Sequence, residues 1–363
     1  MSADIDHDRR HFLGRAAMTF AAARLGALAP ALTSLGCATP ARAASAELAS
    51  LRGATTWFNS PPLTAEGLQG RVVLVDFCTY TCINWLRSLP YVRAWDERYR
   101  DSGLVVIGAH TPEFSFEHDP ENVRRALSAL RVAYPVALDD RFAIWNGFRN
   151  GYWPAVYLVG ADGRVHFRHF GEGAYDDTEA AIRRLLRESG ARDPGRSQAS
   201  VSAEGVEAPA NWGSLRSPET YLGYERTARF VSPGGAIADE RREYLAPPEL
   251  PLNRWALAGE WTIGREAAVP ARAGGRLAYR FHARDLHLVL GLEASSTSPR
   301  FRVSVDGRPP GPAAGLDVDA DGFGRVSESR MYQLVRQPGP IRELTFEIAF
   351  DGPGARAYVF TFG

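Results

Sequence analysis

Residues 72–77 read Val-Val-Leu-Val-Asp-Phe, a mostly apolar run of strand length, and the period of the text changes directly after it. Leu86, Leu89, Val92, Trp95 and Tyr99 recur at helical spacing, so a helix follows with those side chains inward. Leu104 to Ala109 reads as a second buried strand. Glu121 to Leu130 reads as a helix started by Asp119-Pro120. Ala155 to Val159 and Val165 to Phe170 flank Asp162-Gly163, the strongest short hairpin signal in the chain. Asp177 to Ser189 closes the block as a charged amphipathic helix. This order predicts an α/β sandwich with a mixed sheet.

The chain has 363 residues, enough for two domains, and the second has a different character. Residues 191–215 are polar and small, with Pro194 and Pro209, and read as a linker. Short alternating segments follow: Arg254–Trp261, Arg276–His282, Asp285–Leu290, Phe301–Val305, Arg330–Arg336, Leu344–Phe350 and Ala357–Phe362, with Gly, Pro and Asp between them. They predict an antiparallel β-sandwich over residues 216–363 after an α/β domain over 44–190. Lys and Arg number 42 against 42 Asp and Glu, which removes the broad basic field that nucleic-acid binding needs. Charged residues at 23% and hydrophobic residues at 45% argue against wholesale disorder and a polytopic membrane protein.

The first 43 residues read as an address. Arg9-Arg10 followed by His11-Phe12-Leu13 resembles a twin-arginine export signal, an apolar Ala/Leu-rich run extends to about Leu35, and Ala41-Arg42-Ala43 is a small-x-small cleavage site. A transmembrane anchor is the alternative, but the run is only weakly apolar, with Arg24 inside it. Cys37 stands where a lipoprotein cysteine could, with Ser34 in place of the usual Leu. Cleavage after Ala43 would discard it and leave Cys78 and Cys82 in an oxidising, periplasmic compartment.

The chemistry concentrates in Asp76-Phe77-Cys78-Thr79-Tyr80-Thr81-Cys82-Ile83-Asn84-Trp85. A thiol in the first turn of a helix meets unpaired backbone N–H groups and the positive end of the helix dipole. Both favour thiolate, so Cys82 is expected to be a nucleophile with a pKa lowered to roughly 3.5–7.5. The plainer reading is a buried, inert cysteine.

Residues 56–190 resemble the periplasmic thioredoxin-fold domains of the TlpA/DipZ type. The residues that carry the likeness are 72–77, Thr79-Tyr-Thr-Cys-Ile-Asn84, His110-Thr-Pro-Glu-Phe114 and Tyr152-Trp153-Pro154-Ala155. The tail resembles the C-terminal β-domain of DipZ-type proteins, at Phe281-His-Ala-Arg-Asp-Leu286 and Phe360-Thr-Phe-Gly363. In place of the membrane domain that precedes these domains in DipZ proteins, this chain has the cleavable signal. The family's redox pair is Cys-x-x-Cys; the first cysteine matches Cys82, but the second position is Trp85. Cys78 stands where the family has Trp. It would serve as the resolving thiol if the two Cα atoms lie within about 7 Å; otherwise it is a packed small residue. The resemblance further implies that Asp76 is a buried acid moving protons, with a strand-end cap as the alternative. It makes Pro154 a cis-proline that exposes the backbone of Trp153 to a partner. It places Glu113 near the thiol, either tuning it or solvated. Partners on this reading are a protein thiol or disulfide, a CcdA-type membrane electron donor and a glycan at the β-domain.

Two rivals remain open. The first is a redox-inactive binding or scaffold protein. The second is a thiol peroxidase, since Thr79-x-x-Cys82 repeats half of the peroxidatic motif, although Val75 stands where that motif has Pro. Asp317, Asp319, Asp321, Gly322 and Glu328 match an EF-hand loop by spacing, so calcium is a candidate ligand despite strand-like flanks. No zinc spacing of His and Cys is present, and no cofactor is required. Trp255, Trp261, Tyr279, Phe281 and Phe301 read as β-domain core.

Overall fold

A computed structural model describes residues 45–190, 195, 197–293 and 298–363. The export segment and Cys37 lie outside the described residues. Residues from Ala44 to Gly363 form one compact unit. Among the described residues no helix is long and apolar enough to cross a membrane.

The α/β module contains helices α1 (Ala46–Ala49), α2 (Ile83–Tyr99), α3 (Pro120–Ala129), α4 (Ala143–Gly147) and α5 (Tyr175–Glu188). Its strands are β1 (Thr56–Phe58), β2 (Val72–Cys78), β3 (Leu104–His110), β4 (Val136–Leu138), β5 (Ala155–Val159) and β6 (Val165–Phe170). They form one six-stranded sheet in the order β1-β4-β3-β2-β5-β6. β2, β3 and β4 are parallel, and β1, β5 and β6 join antiparallel, so the sheet is mixed. β2 is buried along its whole length because both faces are covered. Val73, Val75 and Phe77 pack with α1 and α4; Val72, Leu74 and Cys78 pack with α2, α3 and α5. Asp119 caps α3 by accepting from the Glu121 N–H, and Pro120 opens it.

The β module has β7 (Thr220–Tyr221), β8 (Arg241–Tyr244), β9 (Trp255–Ile263), β10 (Ala268–Pro270), β11 (Gly275–Phe281), β12 (Asp285–Leu292), β13 (Arg300–Val305), β14 (Phe323–Arg325), β15 (Arg330–Arg336), β16 (Leu344–Phe350) and β17 (Ala355–Phe362). Their ladders are antiparallel and link into a single eleven-stranded sheet. It is one curled sheet rather than two separate ones: β9 and β10 carry the hydrogen bonding from β11 round to β17, so the apolar faces close on each other. Trp255, Trp261, Tyr279, Phe281 and Phe301 are all fully buried in this core, so they present no ring face to a sugar.

The segment read as a linker is docked. Glu207 is buried and accepts from both terminal nitrogens of Arg93 on α2, at 2.8 and 2.6 Å. The Ala199 N–H donates to Glu179 of α5, and Val206 packs on the α/β core. The two modules share that core, since Val289, Met331, Tyr358 and Val359 pack with α2 and α3 residues. Arg87 of α2 is buried, with one nitrogen donating to the Phe362 carbonyl and another paired with Glu172. Polar composition predicted a linker, and the buried Glu207 carboxylate with its bidentate arginine is one of the contacts that dock it.

Candidate active site

The site lies where β2 hands over to α2. The chain turns through Thr79–Cys82, closed by the Cys82 N–H donating to the Thr79 carbonyl at 3.1 Å. Cys82 is extended (φ −79°, ψ 114°) and is the N-cap of α2, its carbonyl accepting from Leu86 N–H. Its sulfur is partly buried, 4.0 Å from the Trp153 carbonyl oxygen. The Trp153–Pro154 peptide bond is cis, and it holds that carbonyl opposite the thiol. Trp153, on the cis bond to Pro154, therefore meets Cys82 at the site.

Trp85 sits one turn into α2 and is 1% exposed. Its indole N–H donates to Asp76 Oδ2 at 2.9 Å. Asp76 is no strand-end cap: it lies within β2, fully buried, and Oδ1 has no hydrogen-bond partner. Burial pushes its carboxyl up to about 7, against the opposing pull of the Trp85 indole and, less, the Tyr134 hydroxyl. In this chain the side chain at the usual resolving position is thus the hydrogen-bond partner of the buried acid.

The thiol itself departs from the sequence expectation. Burial pushes Cys82 up, and the carboxylates of Glu113 and Glu219 push it the same way; the N–H groups of Trp85 and Asn84 oppose them and lose. The helix terminus acts locally as expected, but desolvation of a sulfur under the Trp153 loop is larger. Cys78 is 1% exposed at the end of β2, and burial, then Asp76, holds its thiol far up. Cys78 and Cys82 are both free thiols.

One contributor, Glu117, carried no sequence signal. Glu117 is fully buried and accepts from the Thr81 hydroxyl at 2.7 Å and from the Glu113 and Phe114 N–H groups. It locks the thiol turn to the loop after β3, and burial raises its carboxyl to about 6. His110 pairs in register with Cys78, stacks on Tyr80 and is driven down to about 3 by burial. Glu113 is not solvated: it accepts from Tyr221 and Arg226 of the β module. Thr79 is fully buried, so its hydroxyl is not offered to a peroxide entering from solvent.

The calcium ligand set is not assembled. Asp317 accepts from Arg330 and from the Gln333 N–H, Glu328 accepts from Arg330, and Asp319 caps the Phe323 N–H. The Arg330 guanidinium pairs with both Asp317 and Glu328. No group of three or more His, Cys, Asp or Glu among the described residues is arranged to hold a metal.

A mixed sheet with a cysteine capping the helix after its central strand, faced by a cis-proline loop, defines a thioredoxin-like protein. A family model described as "Thioredoxin like C-terminal domain" matches residues 217–363. Protein DipZ of Mycobacterium tuberculosis is 38% identical over 262 residues, which is 71% of this chain and 36% of that protein. Thiol-disulfide oxidoreductase YkuV of Bacillus subtilis is 28% identical over 141 residues, 38% of this chain and 93% of that protein. A solution structure of a thioredoxin-like protein in the oxidized form is 25% identical, with a TM-score of 0.34, and covers 37% of this chain and 90% of that one. The chain is a thioredoxin-like protein similar to the DipZ proteins, and it spans 36% of the length of the DipZ proteins it matches.

Proposed function

We propose that the protein is an exported thiol–disulfide oxidoreductase that works through one nucleophile, Cys82, and relies on an external thiol to release the mixed disulfide. The observation that carries this reading is the state of the two positions beside Cys82. Trp85 fills the resolving position and is bonded to Asp76, and Cys78 is sealed in the core. Cys82 alone meets the surface, against the Trp153 backbone.

In the forward step the Cys82 thiolate attacks one sulfur of a partner disulfide. A Cys82–partner bond forms, the partner's own S–S bond breaks, and the leaving sulfur takes up a proton. A second thiolate, from outside the chain, then attacks the adduct at the partner sulfur and Cys82 leaves. A sulfur with a raised pKa is a poor leaving group. The environment that slows attack by Cys82 therefore also prolongs its adduct. Asp76, poised near neutrality, is suited to exchange a proton with the site as charge appears on sulfur. Export rests on the arginine pair and the Ala-x-Ala site of the first 43 residues, and a CcdA-type donor would be one source of the external thiol.

The test is incubation with oxidised glutathione, followed by peptide mass spectrometry. Wild type and Cys78→Ser are expected to carry glutathione on Cys82, released by added thiol, and Cys82→Ser none. Absence of an adduct on native Cys82, with adduct forming once the chain is unfolded, would favour the binding-protein reading. The raised thiol is the observation behind that second reading.

A further inference from the structure

The loop that follows β3 is tied to the thiol turn through Glu117, which accepts from the Glu113 and Phe114 N–H groups and from the hydroxyl of Thr81, next to Cys82, and the β module grips that loop. The Tyr221 hydroxyl donates to Glu113 Oε1 at 2.7 Å and lies 2.9 Å from Glu219 Oε2. The Arg226 guanidinium donates to Glu113 Oε1 at 2.8 Å and stacks 3.7 Å over the Tyr221 ring. Two further contacts hold the same loop: the Ser115 N–H donates to Glu266, and Phe114 packs on Tyr358 at 5.0 Å. The Glu113 side chain is 8% exposed and lies against these partners.

We infer that Tyr221, Glu219 and Arg226 of the β module complete the Cys82 site as positioning residues, fixing which charges stand beside the sulfur. The inference rests on the single-nucleophile reading for its purpose, but its geometry does not depend on turnover. The groups that act on Cys82 come from five places: the Trp153 carbonyl before β5, Glu113 after β3, Glu219 before β7, the Asn84 and Trp85 N–H groups of α2, and Cys78 at the end of β2. One of the two carboxylates that disfavour the thiolate belongs to the β module, and the cation that answers the other does too. The module therefore adds charged groups to the surroundings of a thiol that lies in its neighbour. Removing it would change the chemistry of Cys82, not only the stability of the fold. A sulfur beside two carboxylates should also react faster with a disulfide flanked by Lys or Arg than with an acidic one, because an incoming cation offsets both.

The experiment reads the alkylation rate of Cys82 by iodoacetamide between about pH 7 and 10, resolved by peptide mass spectrometry. The rate follows the thiolate fraction and changes tenfold per pKa unit. Glu219→Gln should alkylate about threefold faster or more, and Arg226→Gln about threefold slower. Arg226→Lys should restore the wild-type rate. In a Glu113→Gln background the further change Arg226→Gln should have little effect, since its object is gone. Wild-type rates in folded Glu219→Gln and Arg226→Gln would overturn the inference. If Arg226→Gln fails to fold, the isosteric Glu219→Gln decides alone. Shifted rates without any glutathione adduct would sink the oxidoreductase reading and leave this one standing. An adduct with unshifted rates would do the reverse.

Discussion

Trp85→Phe removes one atom group that matters, the indole N–H that donates to Asp76 Oδ2 at 2.9 Å, while keeping an aromatic ring in a site that is 1% exposed. Asp76 is held near 7 against an ordinary value of 3.8, so the folded protein binds a proton that the unfolded chain has lost over that interval. An acid raised on folding stabilises the fold below its unfolded pKa. That contribution falls as pH rises and is gone once the folded pKa is passed. At 1.36 kcal/mol per unit, the loss between pH 3.8 and 7 is on the order of 4 kcal/mol. A hydrogen bond to a charged group contributes about 1.5–3 kcal/mol, so losing it would lift Asp76 by about 1 to 2 units more. Below pH 6 both proteins carry a protonated Asp76, and the variant loses only packing and a neutral hydrogen bond. From pH 7 to 9 it goes on losing stability after wild type has stopped. Urea unfolding at a series of pH values should show the wild-type-minus-variant gap widening by about 1.5–3 kcal/mol across that window. The widening should vanish in an Asp76→Asn background. A gap independent of pH, or one that survives Asp76→Asn, would refute the reasoning.

Three other outcomes are expected. Thr81→Val withdraws the hydroxyl from buried Glu117, raising a carboxyl already near 6, and should cost about 1–3 kcal/mol, more above pH 6 than below it, by the same urea assay. Glu207→Gln breaks the bidentate bond to Arg93 and should cost on the order of 2 kcal/mol while speeding proteolytic nicking within residues 197–215, read by gel and mass spectrometry. A chelator should leave the thermal midpoint unchanged, because Arg330 already pairs with both Asp317 and Glu328; a fall reversed by calcium would restore the metal reading.

The strands and helices with a strong period were legible from the order of apolar and polar residues. Val72–Phe77 became β2, the inward set from Leu86 to Tyr99 is buried in α2, and the seven alternating tail segments became strands within a residue or two of their expected ends. β1 and β4, at three residues each, are too short to show a period and exist through pairing with one another and with β3. Glu117, Glu207 and Tyr221 had no local signal either, since each acts on a residue of a different element or module.

Cys82 is where local and tertiary effects part. Its place at a helix N-terminus is a matter of neighbours in the chain, and the Asn84 and Trp85 N–H groups do favour its anion. Whether the anion forms depends on what surrounds the sulfur, and those surroundings include the Trp153 loop, remote in sequence. The amino-acid text determined the strongly periodic elements, the change of character between the two modules and the absence of a cysteine at position 85, because propensity and period act over a few residues. The ionisation of Cys82 and Asp76 was decided only by the folded assembly. Desolvation is a property of the space a group ends up in, and no stretch of chain carries it alone.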